Sequence, residues 1–203
     1  MDLDPDLVAQ ISGRAKRAIR ARMRALRQAL PAAARRARSE RICERVLTSP
    51  EYVSARSIAL FAPQALEVDV SPLDAAARAA QKLVYYPFMD PTENGFTTGF
   101  RRVDASAELT DRGRKFLEPA PGLYQAERGD IDLVIVPALA VAPTGHRLGY
   151  GSGYYDATLP DVCPPGVALA VAFEFQLLAE LPVTDADVPV QTLVTDQRVL
   201  RIP

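Results

Sequence analysis

The sequence predicts a layered α/β domain, with helices on both sides of a mainly parallel sheet. Three observations carry that expectation. Short β-branched or aromatic runs alternate with helical segments from SIALF onward; IDLVIV, apolar without a break after Asp132, is a run of the kind buried on both faces of a parallel sheet; and no repeat, low-complexity tract or long linker divides the chain. With 203 residues and 48% hydrophobic side chains, the chain can bury one substantial core, so a single domain over residues 1–203 is expected.

Taken in order, residues 12–30 place Ile19, Met23, Leu26 and Leu30 at steps of four, three and four, the spacing of one helical face, among many arginines. Pro31 restarts the pattern, and an Ala-rich helix runs through Ile42, Val46 and Leu47 to the Ser49-Pro50 stop. The two helices are expected to pair. SIALF, PLDAAARAAQK and LVYYPF then read as strand, helix and strand, the pattern of a right-handed parallel crossover. GFTTGFRRV reads as a further strand after a turn over residues 90–95, and residues 109–130, rich in Pro, Gly and charge, read as irregular. IDLVIV is the clearest strand; it leads into PALAVAPTG and then GHRLGYGSGYYD. VALAVAF and LVTDQRVLRI supply later strands, with QLLAELP between them.

Composition narrows the function classes. Twenty-four basic and 25 acidic side chains leave a formal charge of -1, so nothing global favours nucleic acid or an anionic membrane. Cys43 and Cys163 build no disulfide framework and sit in no metal-ligand spacing, so both are expected as small, at least half-buried thiols. The stretch MDLDPDLVAQ lacks the order of a secretory signal, and no apolar run approaches the roughly 20 residues that span a bilayer. A soluble cytoplasmic protein is the resulting expectation; a monomer is expected as well.

The loop GHRLGYGSGYYD follows the best strand, and in open α/β sheets ligands bind beyond the carboxyl ends of strands. Its glycines let backbone N–H groups approach an anion, and a helix starting at Tyr154 would add the field of its N-terminus. Arg147 offers a planar donor fork for phosphate oxygens, and Asp156 a carboxylate for magnesium, which takes one or two carboxylates plus phosphate and water. The loop matches neither GxxxxGK[ST] nor GxGxxG, so a phosphate site and a structural turn both stand on these residues alone. Lys16 and Arg20, four apart, lie on one side of the first helix and can direct two cations toward one anion.

RLGYGSGYYD resembles the RLGxGxGYYD motif of the 5-formyltetrahydrofolate cyclo-ligase family. The likeness extends along the chain in order. Lys16 to Arg20 is similar to KxxLR; Glu67 falls where the family has a glutamate after its first strand; and Glu118-Pro119 resembles an EP dipeptide. DLVIVPALAVAPTGHRLGYG is similar to DLxxxPGxxFDxxGxRLGxG, and AFEFQLLAELPVTDAD to AFxxQxxxxxPxxxxD.

The resemblance implies a three-layer α/β/α sandwich of the sugar-phosphate isomerase and CoA transferase kind. It implies conversion of 5-formyltetrahydrofolate to 5,10-methenyltetrahydrofolate with magnesium ATP, releasing ADP and phosphate. Such chemistry rests on positioning and charge stabilisation and suits a chain with one histidine, His146. Carried over, Lys16, Arg20, Arg147, Leu148, Gly149, Tyr150, Gly151, Ser152, Gly153, Tyr154 and Tyr155 are expected to bind ATP, with Arg147 also catalytic. Glu67 and residues 150–154, that is Tyr150, Gly151, Ser152, Gly153 and Tyr154, are expected to meet the folate, and Asp156 and Asp187 to ligate Mg2+. Phe61, Phe88 and Phe116 are candidate walls for the ring. Ala138, Val141 and Ala142 replace the family's Gly, Phe and Asp, Ser152 replaces a lysine found in some members, and YYPF lacks an arginine often following its proline. These departures leave open a cyclo-ligase-like protein that binds nucleotide or folate without turnover.

Overall fold

The computed structural model describes residues 5–93, 95–105, 108–113 and 116–202, with side chains from residue 10 onward. Residues 1–4 of the acidic N-terminal stretch and Asn94 of the expected turn lie outside them. Its centre is a sheet of order β11-β10-β9-β6-β1-β2-β3. The strands are β1 (Ser57–Ala59), β2 (Leu83–Thr92), β3 (Gly95–Arg102), β6 (Leu133–Pro137), β9 (Val167–Val171), β10 (Thr192–Val194) and β11 (Val199–Arg201). The inner neighbours pair in parallel, and antiparallel β3 and β11 form the two edges.

Alternation along the strands builds a core on each face. Ile58, Leu60, Leu133, Ile135 and Leu169 pack toward α2 (Ala32–Leu47), α3 (Pro50–Ser54) and α4 (Ser71–Ala79), which contribute Ile42, Tyr52 and Leu73. Ala59, Val134, Val136, Ala168 and Ala170 face the other way, toward Leu159 and Val162 of α5 (Tyr154–Val162). IDLVIV, apolar without a break from Leu133 to Val136, is thus buried on both faces along that run, and the layers are α/β/α. Cys43 is buried and Cys163 half-buried; burial pushes their thiols up to about 12 and about 11.

Four expectations are corrected. The first helix, α1 (Pro5–Ala29), starts seven residues before the expected segment 12–30, with Pro5 at its head, where a missing N–H costs nothing. It does not form a two-helix unit with α2: α1 lies on β7 (Ala140–Val141), whereas α2 packs on α3, α4 and β10. Residues 109–130 contain a small hairpin, β4 (Leu109–Asp111) against β5 (Leu117–Pro119). LVTDQRVLRI is two short antiparallel strands, β10 and β11, because Thr195 and Asp196 divert the chain into a turn closed by Thr195 N–H on Arg198 O.

The topology places the site. From β1 the chain crosses through α4 to β2 on one side, and from β6 through α5 to β9 on the other. Adjacent β1 and β6 therefore flank the point where strand order reverses, and a crevice opens at their carboxyl ends.

Candidate functional site

The crevice is a cavity of about 340 Å³. It is lined by Phe61, Ala62, Gln64 and Glu67 after β1, by Pro87 and Met89 of β2, by Phe116, and by Pro137 at the end of β6. The run from Arg147 to Asp156 closes it, with Lys16, Arg20 and Asp187 beside it. Every residue carried over by the resemblance lines this one cavity.

α1 runs along it. Lys16, Arg20 and Arg27 stand four and eleven residues along from the first, within about 40° of one another around the helix and over about 16 Å of its length. Lys16 Nζ meets Asp187 Oδ2 at 2.7 Å, and Arg20 Nε donates to Gly149 O at 2.9 Å. Arg27, 2% exposed, donates to the Tyr150 hydroxyl at 2.8 Å and to Ala138 O, and lies 4.0 Å from Glu67 Oε1. Sequence reasoning missed Arg27, because the apolar stripe counted Leu26 inward; Leu26 is exposed instead. The available signal was its position three turns beyond Lys16 on the same face as Met23, which is fully buried.

Glu67 is held by its own turn. Its N–H donates to Gln64 O at 2.9 Å, and its Oε2 accepts from Gln64 N–H at 2.8 Å. Burial pushes its carboxyl above the usual range, against the pull of that amide, Arg27 and the Tyr150 hydroxyl. Burial likewise raises the Tyr150 phenol to about 12, with Glu67 adding to the rise.

The glycine-rich loop is rooted and open at its tip. β7 pairs with β8 (Arg147–Leu148), and Leu139 N–H donates to Leu148 O at 2.8 Å. Gln176, fully buried in the AFEFQ segment, donates to Ala138 O at 2.9 Å and Leu139 O at 2.7 Å; its place in the motif was legible, its task was not. Residues 149–153 are exposed, and Gly151 at φ +112° rests against the Arg20 guanidinium in a conformation that L side chains resist. Gly153, at φ 68°, is the N-cap of α5 and brings no side chain, so the helix presents its first-turn amides and dipole to the cavity.

Beyond the tip, Arg147 is 8% exposed, donates to Asp156 Oδ1 at 3.1 Å and to Val188 O, and lies with its guanidinium 5.8 Å from the Tyr155 ring centre. Burial lowers its pKa, opposed first by Asp156. Asp156 also accepts from Val188 N–H at 3.1 Å, which brings Asp187, the preceding residue, to the same end. For Asp187, burial would raise the carboxyl, but hydrogen bonds from Lys16 and Thr184 hold it below the usual range. Among the described residues no three His, Cys, Asp or Glu side chains gather as a metal cage. Two reachable carboxylates facing an anion cradle nevertheless fit magnesium, which shares its shell between one or two carboxylates and phosphate oxygens.

Not every predicted side chain points in. Tyr154 is buried, gives its hydroxyl to Gly99 O and packs edge-on to Phe100 and Tyr155, so its phenol is directed away from the cavity mouth into the fold. Phe61 and Phe116 are walls; Phe88 is not, being fully buried under the Arg101 guanidinium at 3.8 Å. Ala138, Val141 and Ala142, where the chain departs from the family pattern, are buried and do not line the cavity. His146, with Nδ1 3.0 Å from the Thr144 hydroxyl, lies outside its lining.

The fold and cavity define a doubly wound α/β protein whose switch-point crevice joins an end lined by Lys16, Arg20, Arg147 and two carboxylates to an apolar one. The sequence model of the 5-formyltetrahydrofolate cyclo-ligase family matches residues 12–196, and the chain belongs to that family, one of ligases. It is 30% identical over 183 residues to the 5-formyltetrahydrofolate cyclo-ligase of Escherichia coli strain K12, covering 87% of this chain and 98% of that one. It is similar to the NMR structure of Aquifex aeolicus 5,10-methenyltetrahydrofolate synthetase, with a TM-score of 0.79, 32% identity and 92% of each chain covered. A methenyltetrahydrofolate synthetase structure from Mycoplasma pneumoniae, at 22% identity and TM-score 0.68 over 89% of this chain and 98% of that one, shares the fold.

Proposed function

We propose that this chain is a 5-formyltetrahydrofolate cyclo-ligase that uses magnesium ATP to form 5,10-methenyltetrahydrofolate, releasing ADP and phosphate. The observation that carries the reading is the joining, in one cavity, of a cation-and-carboxylate end to a buried carboxylate between apolar walls. The fourteen expected site residues are read as acting there, within one domain over residues 1–203 that works as a monomer. No described helix is long and apolar enough to cross a membrane.

In this reading Glu67 accepts hydrogen bonds from the ring's amide and amino donors, between Phe61 and Phe116. Lys16, Arg20, the loop amides and the α5 N-terminus receive the phosphates, and Asp156 and Asp187 would hold magnesium, which supplies further neutralisation of phosphate charge. The formyl oxygen attacks the γ-phosphorus as the bond to ADP breaks. Nitrogen 10 then adds to the activated carbon and loses its proton, and phosphate departs with the former formyl oxygen. Arg147 offsets the charge that develops during transfer and, being buried, does so with little solvent screening. Excluding water from the walls protects the activated formyl group from hydrolysis.

The test mixes the purified chain with 5-formyltetrahydrofolate, magnesium and ATP and follows methenyl absorbance together with ADP. Stoichiometric ATP-dependent product is expected. A folded chain that binds both ligands and forms no product would instead be the binding protein without turnover.

A further inference from the structure

We infer that Arg27 is a positioning residue for Glu67: with the Tyr150 hydroxyl as relay, it fixes the orientation and the ionised state in which that carboxylate meets the folate ring. The inference rests on the reading of Glu67 as the folate-recognising group and adds a residue and a mechanism to it.

Glu67 is 5% exposed, and a buried carboxylate lacking enough partners takes up a proton. A protonated Glu67 would be a donor on one oxygen and would no longer accept a pair of hydrogen bonds. The charged and titratable groups around it are Arg27 from α1, Tyr150 from the loop and Tyr155 from α5, besides the Gln64 amide; Arg35 and Arg36 of α2 and Asp69 line a second cavity together with Glu67. Arg27 is the cation that both approaches Glu67 at ion-pair distance and donates to the Tyr150 hydroxyl. At 4.0 Å the direct contact is electrostatic. Tyr150 accepts from Arg27 at 2.8 Å, which leaves its single phenol proton able to turn toward Glu67.

Arg27 is itself held so that it cannot follow solvent. One guanidinium nitrogen is on Ala138 O, a carbonyl also gripped by Gln176, and Nε is buried with no hydrogen-bond partner among the described residues. A guanidinium kept in the interior with a donor unused is costly as mere packing, and an apolar side chain would fill the space without that cost. The charge itself is the useful property.

The experiment measures the dissociation constant of 5-formyltetrahydrofolate by calorimetry, without ATP, from mildly acidic to neutral pH for the parent, Arg27→Gln, Arg27→Lys and Glu67→Gln chains. Arg27→Gln is expected to weaken binding roughly tenfold at neutral pH. It should also move the acid limb, where binding is lost, upward by about one pH unit, because an opposite charge at this range lowers a carboxyl by that order. Arg27→Lys should restore most of the limb and less of the affinity, since it keeps charge and loses the fork. A folded Arg27→Gln chain with weakened binding and an unmoved limb would assign Arg27 to packing and overturn the inference. Glu67→Gln binding like the parent would overturn the Glu67 reading, and the inference with it; Glu67→Gln losing binding while Arg27→Gln keeps the parent limb overturns the inference alone. Should Arg27→Gln fail to fold, Tyr150→Phe carries the test: the limb rises in the same direction, and a parent-like limb sinks the relay.

Discussion

At one end of the cavity each carboxylate meets a cation at hydrogen-bonding distance, Lys16 on Asp187 at 2.7 Å and Arg147 on Asp156 at 3.1 Å, with 19% and 29% of the two carboxylate side chains exposed. At the other end Glu67, 5% exposed, faces Arg27 at 4.0 Å. The first arrangement suits exchange: an incoming polyanion and its cation can take over both partners, and solvent eases the transition. The second suits permanence, since a charge kept out of water must already be oriented before a neutral ring with few strong handles arrives. Charge is cheap to rearrange at the wet end and fixed in advance at the dry one.

The largest effect that separates the ends should come from Arg147→Ala. It is expected to lower kcat roughly 10²- to 10³-fold, the usual loss for one donor aimed at developing charge, while circular dichroism stays parental. Parental turnover would move phosphoryl transfer away from the Asp156 end. A crossed pair comes next. Lys16→Ala should raise the KM for ATP roughly tenfold and leave that for 5-formyltetrahydrofolate alone, and Glu67→Gln should do the reverse. Steady-state kinetics showing both KM values moving together in either variant would erase the division into two ends.

The smallest effect concerns acid stability. Asp187 has its carboxyl held low in the folded chain, so its contribution is complete above the ordinary value of about 3.9 and disappears as pH falls through the lower folded value. Asp187→Asn should therefore flatten the acid decline of Tm and cost little at neutral pH, within the ~1 kcal/mol of a partly exposed pair. An unchanged acid decline would mean that the Lys16 pair contributes nothing to the fold.

What the sequence shows of this molecule follows from what periodicity can carry. IDLVIV and VALAVAF are adjacent central strands because an unbroken apolar run has no other stable place, and the loop after the first of them lines the cavity as its position requires. Arg27 and Leu26 trade places because a stripe counted by apolarity assigns an arginine to solvent, and only the pocket behind α1 makes the charge welcome inside. The β4–β5 hairpin was hidden by Pro, Gly and charge, since three-residue strands carry too little alternation to register. Glu67 and Asp187 gained meaning only from ordered resemblance; alone, each is an ordinary loop carboxylate.

The rooted loop with its open tip has a kinetic corollary. Amides at the roots, such as Leu139 on Leu148 O and Ala142 on His146 O at 2.9 Å, exchange their hydrogens with solvent only when the hairpin opens, whereas residues 149–153 are exposed. Deuterium uptake should thus divide these few residues into a slow stem and a fast crest. An arriving phosphate would quiet the crest alone, which makes the loop its own reporter of occupancy.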